Sequence, residues 1–170
     1  MKRIGKETLK EANIFIDGRG HLGVTKSFAL PAITEVMTDD EGVLKGKSDT
    51  GIYEALELTF KIEVLDSKLY AEFFGANKLV QIPLVLKESI HQTGGSGKPL
   101  EVILKGKCES ITLNEDTSGA VREVSVKMWC DTYILSQNNE PPMITYDRNN
   151  YIFYAFGVDL LAQTRSDLSM

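Results

Sequence analysis

Alternation of apolar and polar positions is clearest between Leu56 and Val64. Leu56, Leu58, Phe60, Ile62 and Val64 share one parity, while Ala55, Glu57, Thr59, Lys61 and Glu63 occupy the other, with Glu54 at the head. Successive side chains of a strand point to opposite faces, so the pattern predicts a strand with one dry and one charged face. The period then changes. Leu65, Leu69 and Phe73 recur at i, i+4 and i+8, Asp66 is placed to accept from orphan N–H groups as N-cap, and Gly75 suits a left-handed C-cap. A short helix over about residues 66–75 is expected, its apolar stripe laid on a sheet.

The same reading extends along the chain. Residues 1–11 are polar and predict a loose or extended N-terminal arm. Asn13 to Ile16 reads as a strand entering a turn at Asp17-Gly18, where Asp-Gly supplies the positive φ a hairpin needs. The return strand spans roughly His21 to Leu30 and ends at Pro31, and a further extended piece covers Ile33 to Thr38. Residues 38–51 then form an extended, charged, glycine-bearing loop, longer than a tight hairpin needs. Val80, Ile82, Leu84 and Leu86 alternate again, and Pro83 among them predicts an edge strand, because proline cannot donate to a ladder.

Leu100, Val102, Leu104, Gly106 and Cys108 form the dry parity of another strand, against Glu101, Lys105, Lys107 and Glu109. The longest strand runs from about Val121 to Leu135, with Val124, Val126, Met128, Cys130 and Ile134 on one side and Glu123, Ser125, Lys127, Trp129, Asp131 and Tyr133 on the other. A turn at Asn138 to Pro142 leads to strands at Met143 to Tyr146 and Tyr151 to Phe156. Residues 157–170 are left as a terminal arm or a short helix begun by Asp159. Eight or nine strands against one helix give a mainly β, antiparallel sandwich- or barrel-like fold in a single domain over 1–170.

Composition narrows the function. The chain has 170 residues, 42% hydrophobic and 25% charged, which is ordinary for a folded globular domain. A net charge of −5 argues against a surface built to grip phosphate. No apolar run approaches the length of a membrane span, so no membrane anchor is expected, and the basic N-terminus lacks the apolar region of a secretory signal. Cys108 and Cys130, both on apolar parities, read as reduced core thiols.

No catalytic constellation emerges. His21 and His91 have no partners at metal-ligand spacing and read as surface histidines, so neither metal nor cofactor is expected. Gly94-Gly95-Ser96-Gly97-Lys98-Pro99 fails as a phosphate loop, since Gln92 stands where its first glycine belongs and Pro99 where a hydroxyl must hold Mg²⁺. An enzyme is therefore not expected. A small-ligand-binding β-barrel shares the alternating strands and single helix, and stays open as an alternative. Several long, two-faced strands also leave edges that invite pairing with another chain, and head-to-tail pairing that closes gives a ring.

Three segments carry a resemblance to a known family. Asn13, Phe15, Asp17 and Gly18, then Leu22, Gly23 and Val24, then Leu30-Pro31 are similar to an N-x-F-x-D-G-x-x-x-L-G-V hairpin running into Leu-Pro. The charged loop leading to Glu54-Ala55-Leu56-Glu57 and the helix ending Phe74-Gly75 form the second segment. Gly157-Val158-Asp159-Leu160-Leu161-Ala162-Gln163-Thr164-Arg165 resembles a C-terminal G-V-D-R-L-A-x-x-R, with Leu160 in place of its arginine. In this order they resemble the major tail tube protein of contractile-tailed bacteriophages and phage-tail-like bacteriocins.

The resemblance implies subunits that assemble into hexameric rings stacked as a tube, with a sheath outside and baseplate and tape-measure proteins as further partners. It implies a virion tail component, assembled in the bacterial cytoplasm, through which DNA passes without specific binding. A genome-free bacteriocin or secretion tube is the alternative within the class. Candidate contacts between rings are Asp39, Asp40, Glu41, Gly42, Leu44, Lys45, Lys47 and Asp49. Candidates for the lumen or the subunit interface are Glu57, Thr59, Lys61, Glu63, Glu101, Lys105, Lys107 and Glu109. The acidic balance suits a conduit, because each phosphate neutralised by Lys or Arg strengthens binding to what should slide past.

Overall fold

Every ladder among the described residues is antiparallel, and one strand joins three of them. The computed structural model describes residues 5–74, 81–115 and 117–170. In chain order the elements are β1 (Glu7–Ile16), β2 (Arg19–Gly20), β3 (Thr25–Ala29), β4 (Glu35–Asp40), β5 (Gly46–Tyr53), β6 (Leu56–Ile62) and α1 (Ser67–Phe74). They continue with β7 (Ile82–Gln92), β8 (Leu100–Leu113), β9 (Val124–Gln137), β10 (Ile144–Asp147), β11 (Ile152–Ala155), β12 (Val158–Asp159) and α2 (Ala162–Asp167). The main sheet runs β12-β11-β10-β9-β8-β7-β1-β2, while β6 pairs with both β9 and β3; β4 and β5 form a separate two-stranded sheet.

β9 makes the sheet fork. One edge of it pairs with β8 along its length. Its other edge pairs with β6 from Val124 to Cys130 and with β10 from Thr132 to Leu135. The branch point is Asp131, where the β8 ladder slips between Lys105 and Gly106, so Cys130 and Asp131 are both buried. A bulge inserts one residue and flips every later side chain to the other face. Tyr133 therefore lies in the core, at 2% exposure, and the expected dry position Ile134 faces outward. This corrects the parity read beyond Cys130.

The β6 reading stands. Leu56, Leu58, Phe60 and Ile62 are buried, and Val64 lies past the strand end and is exposed. Their apolar face meets Ile14 and Ile16 of β1, Leu84 and Leu86 of β7, Val102 and Leu104 of β8, and Val126 and Met128 of β9 in one core. Leu69 and Phe73 of α1 close that core, as their spacing predicts, whereas Leu65 stays exposed. The Lys68 N–H donates to Asp66 Oδ1 at 2.9 Å, which makes Asp66 the N-terminal cap. The expected C-cap Gly75 and the strand position Val80 lie outside the described residues.

Two further expectations change. A strand begins at Glu7, so residues 7–11 are no free arm; they pair with Ser89 to Gln92 of β7. β7 is no edge strand either, since β1 and β8 flank it. Pro83 is tolerated because β1 turns away there: its carbonyl accepts from Asp17 N–H at 3.0 Å, and its missing N–H would have pointed to that same vacated side. Of the two readings open for 157–170, the short helix is the one formed: β12 adds to β11, and α2 follows Asp159.

Candidate assembly surfaces

The charged segment between β3 and β6 is not a loop. β4 and β5 zip it into a hairpin in which Asp39 faces Lys47, Thr38 faces Ser48 and Asp40 faces Gly46, leaving residues 41–45 as the tip. The cause is local. Ser48 Oγ donates to Asp40 Oδ1 at 2.8 Å, Gly51 N–H donates to Glu35 Oε1 at 2.9 Å, and Gly51 takes φ +68° where the ladder shifts register. Tyr53 fixes the base by an edge-to-face contact with Phe153, centroids 4.7 Å apart.

From Val36 to Ile52 every residue of this hairpin is exposed, including Met37, Val43, Leu44 and Ile52. The structure thus brings all eight expected ring-contact positions, Asp39 to Asp49, onto one projecting ribbon. A lone two-stranded ribbon is marginally stable in water. Its exposed apolar side chains call for a surface to cover them.

The eight expected lumen or interface residues lie on the outer face of the main sheet, opposite the core. Glu57, Trp129 and Lys107 occupy directly opposed register positions across β6, β9 and β8, as do Thr59, Lys127 and Ser110. Lys127 Nζ stands 3.3 Å from Glu57 and 3.2 Å from Glu109. At the far end Glu123 ties the strands together, 3.7 Å from Lys61 and paired with Lys26, which in turn lies 3.8 Å from Glu63. Lys26 holds the Glu123 carboxyl below its usual range. Glu101 sits further along the same face, 3.1 Å from Lys87, while Lys105 is placed opposite Thr132. The face is a lattice of charges of both signs.

Alternation also put Glu123 and Lys127 on the polar parity of the longest strand, yet neither they nor Lys26 stood among the expected lumen or interface residues. Register alone places them there, and register is not visible in a single strand. Two edges complete the picture. Among the described residues β3 pairs only with β6, and β1 from Glu7 to Asn13 only with β7, so each offers a row of backbone groups to another strand.

Comparison with known proteins decides among the readings these surfaces allow. The sequence profile described as phage tail tube protein FII matches residues 6–168. The chain belongs to that family. A curated relative, the tail tube protein of Escherichia phage P2, is 25% identical over 167 residues, covering 95% of this chain and 96% of its own length. The fold resembles the cap of the anti-feeding prophage, described as a tube-terminating cap (TM-score 0.54, 12% identity, 74% of this chain and 87% of that one). It also resembles a chain of the PVC sheath–tube complex in the extended state (TM-score 0.53, 11% identity, 74% and 88%).

Several family-motif residues of this tail tube protein shape its turns. Asp17 and Gly18, at φ +47° and +78°, form the two-residue turn between paired Ile16 and Arg19. Asn13 accepts the His21 N–H at 3.1 Å, Gly23 adopts φ +77°, and Pro31 is buried. Phe15 and Leu22 flank that turn, with Leu22 exposed. His21 is buried rather than at the surface: its ring Nδ1 sits 3.3 Å and 3.2 Å from the carbonyls of Ile14 and Arg19. Gly157, at φ +83°, turns the chain so that Asp159 meets Arg165.

Two groups escaped the sequence reading. Asp131, buried at the fork, accepts from Gln81 Nε2 at 2.7 Å and from Arg148 Nη1 at 3.1 Å. Glu88 follows Ile82, Leu84 and Leu86 on the dry parity of β7 and is itself buried, with Oε1 lacking any hydrogen-bond partner. A charge on an apolar parity was the available signal.

Proposed function

We propose that this tail tube protein is the inner-tube subunit of a contractile injection machine. Copies form hexameric rings that stack into a tube inside a sheath, and the tube gives DNA a path out of the virion. The observation that carries this reading is the family match over nearly the whole chain. The open edges of β1 and β3 and the uncovered β4–β5 ribbon support it physically, because a head-to-tail contact that closes would pair those edges and bury that ribbon. On this reading the ribbon reaches the adjacent ring. The outer lattice around Lys127 faces the lumen or the neighbouring subunit, and the baseplate and tape-measure proteins are the remaining partners.

A charge-balanced lattice suits a conduit. Phosphates bind where Lys and Arg release counterions, and on this face Lys26, Lys61, Lys87 and Lys127 already face carboxylates. A ligand-binding barrel has less support, since its interior would have to stay open. Here Phe60, Leu58, Leu104 and Met128 fill the interior, each at 1% exposure or less.

Electron microscopy of the concentrated protein, seeded with baseplate, tests the proposal. Tubes on the order of 10 nm across, with walls about two sheet spacings thick, are expected. Protein that stays monomeric even when seeded contradicts it. Capsid and terminase genes beside this one would assign the tube to a phage; their absence would favour a genome-free machine.

A further inference from the structure

Two features of the subunit are each incomplete. At the tip of the β4–β5 ribbon, Val43 and Leu44 are almost fully exposed, at 104% and 91%, and Lys45 follows them into solvent. An estimate of about 3.4 Å per residue puts this tip some 20 Å beyond the ribbon's base. It is an apolar knob with the Lys45 cation on one flank and the Glu41 carboxylate on the other.

The second is a cleft of about 340 Å³ at the end of the core, between β1 and β7. Its lining includes Ala12, Leu22, Ile90 and Pro99, with the carboxylates of Glu11 and Glu88. Lys87, also at its rim, is engaged by Glu101. Glu88 is nine-tenths buried, and its Oε1 has no partner. A buried carboxylate oxygen left unpaired is costly, so one is expected to gain a donor in the working state. The β1 edge beside the cleft, Glu11 to Asn13, pairs among the described residues only with β7.

We propose that the ribbon tip of one copy docks in the Glu88 cleft of the next. Val43 and Leu44 cover Leu22, Ile90 and Pro99, and the Lys45 ammonium supplies the donor that Glu88 lacks. The match is one of chemistry: apolar side chains meet an apolar lining, and the Lys45 cation meets the one carboxylate there whose oxygen is buried without a partner. Because knob and cleft lie on different parts of one chain, the contact is heterologous and propagates from copy to copy. This rests on the proposed function, which requires copies to associate but does not say where the ribbon seats.

The test uses the full chain and a mutant cycle. Lys45→Gln and Glu88→Gln should each raise the critical concentration for tube growth about tenfold, and the double variant should be no worse than either single one. Circular dichroism of the subunits checks that each remains folded. Zero-length carbodiimide cross-linking of wild-type tubes, read by mass spectrometry, should join Lys45 to Glu88 between copies. Tubes that yield no such cross-link, with effects of the two substitutions that multiply or vanish, overturn the proposal. A wild-type chain that never forms tubes would instead contradict the proposed function itself.

Discussion

Asp159 and Arg165 close the C-terminal segment into a clasp. The Arg165 guanidinium pairs with both carboxylate oxygens and also donates from Nη1 to the Tyr151 carbonyl at 2.7 Å, while Asp159 Oδ1 accepts the Leu161 N–H at 3.2 Å. One carboxylate thus ties β12 to the start and the middle of α2. The helix has only six residues and no buried side chain, so little else holds it.

Replacing Asp159 with Asn should release α2. Hydrogen exchange over residues 158–168 is expected to rise to the rate of an unprotected segment, with β6 to β9 unchanged. The Arg165 hydrogen bond holds the Asp159 carboxyl below its usual range. The clasp is therefore complete above an ordinary aspartate pKa of about 3.9 and is lost as pH falls through the lowered folded value.

Glu88 should behave in the opposite sense. Burial pushes its carboxyl up, and around it lie Glu11 and Lys87 at the cleft and Tyr133, whose own hydroxyl is driven to about 12. A raised carboxylate pKa favours the fold below the unfolded value, and that stability is lost as pH rises through the folded one. Denaturant midpoints of the monomer should accordingly fall as pH rises above an ordinary glutamate pKa of about 4.3 and through the raised folded value. Glu88→Gln should flatten that slope.

Gly106 is fixed by space. A Cβ there would lie 2.1 Å from the Trp129 carbonyl oxygen and 2.9 Å from Cys130 Cα, both backbone atoms of β9. Gly106→Ala should cost about 1–3 kcal/mol or more by prising β8 from β9 at the fork. Leu58→Ala, at a site 1% exposed, should cost about 2–5 kcal/mol through its cavity, and Leu58→Asp should prevent folding. Chemical denaturation measures the first two, and soluble yield the third.

Reversing charge on the outer face should change what the tube holds. Glu57→Lys with Glu109→Lys removes both partners of Lys127 and concentrates cations there. Tubes of that variant should retain duplex DNA in a salt-sensitive way, whereas wild-type tubes should not. A filter-retention assay across salt concentrations distinguishes them.

How much of this was legible in the sequence follows from the range of each interaction. β6 and α1 were readable because Leu56 to Ile62 and Leu69 with Phe73 obey single periods against one core. The Asp17-Gly18 turn was readable because only a few residue types accept two positive φ angles. The fork at Asp131 was not, since a bulge is a relation between β8 and β9 that alternation within either strand conceals. The hairpin at 35–53 was hidden for a different reason: its apolar residues, Val36, Met37, Val43, Leu44 and Ile52, sit at the base and the tip and do not alternate, so no dry parity marked it. Likewise Pro83 signalled an edge, yet the sheet accommodates it where β1 departs. The lattice around Lys127 needed the register of three strands.

The central claim is that copies of this subunit associate through the β4–β5 ribbon into a tube. Electron microscopy of baseplate-seeded protein with residues 41–45 replaced by a two-residue Asn-Gly turn tests it most directly. The account predicts a folded subunit that forms no stacked tube, beside wild-type protein that does. Tubes of normal length from the shortened variant would contradict it.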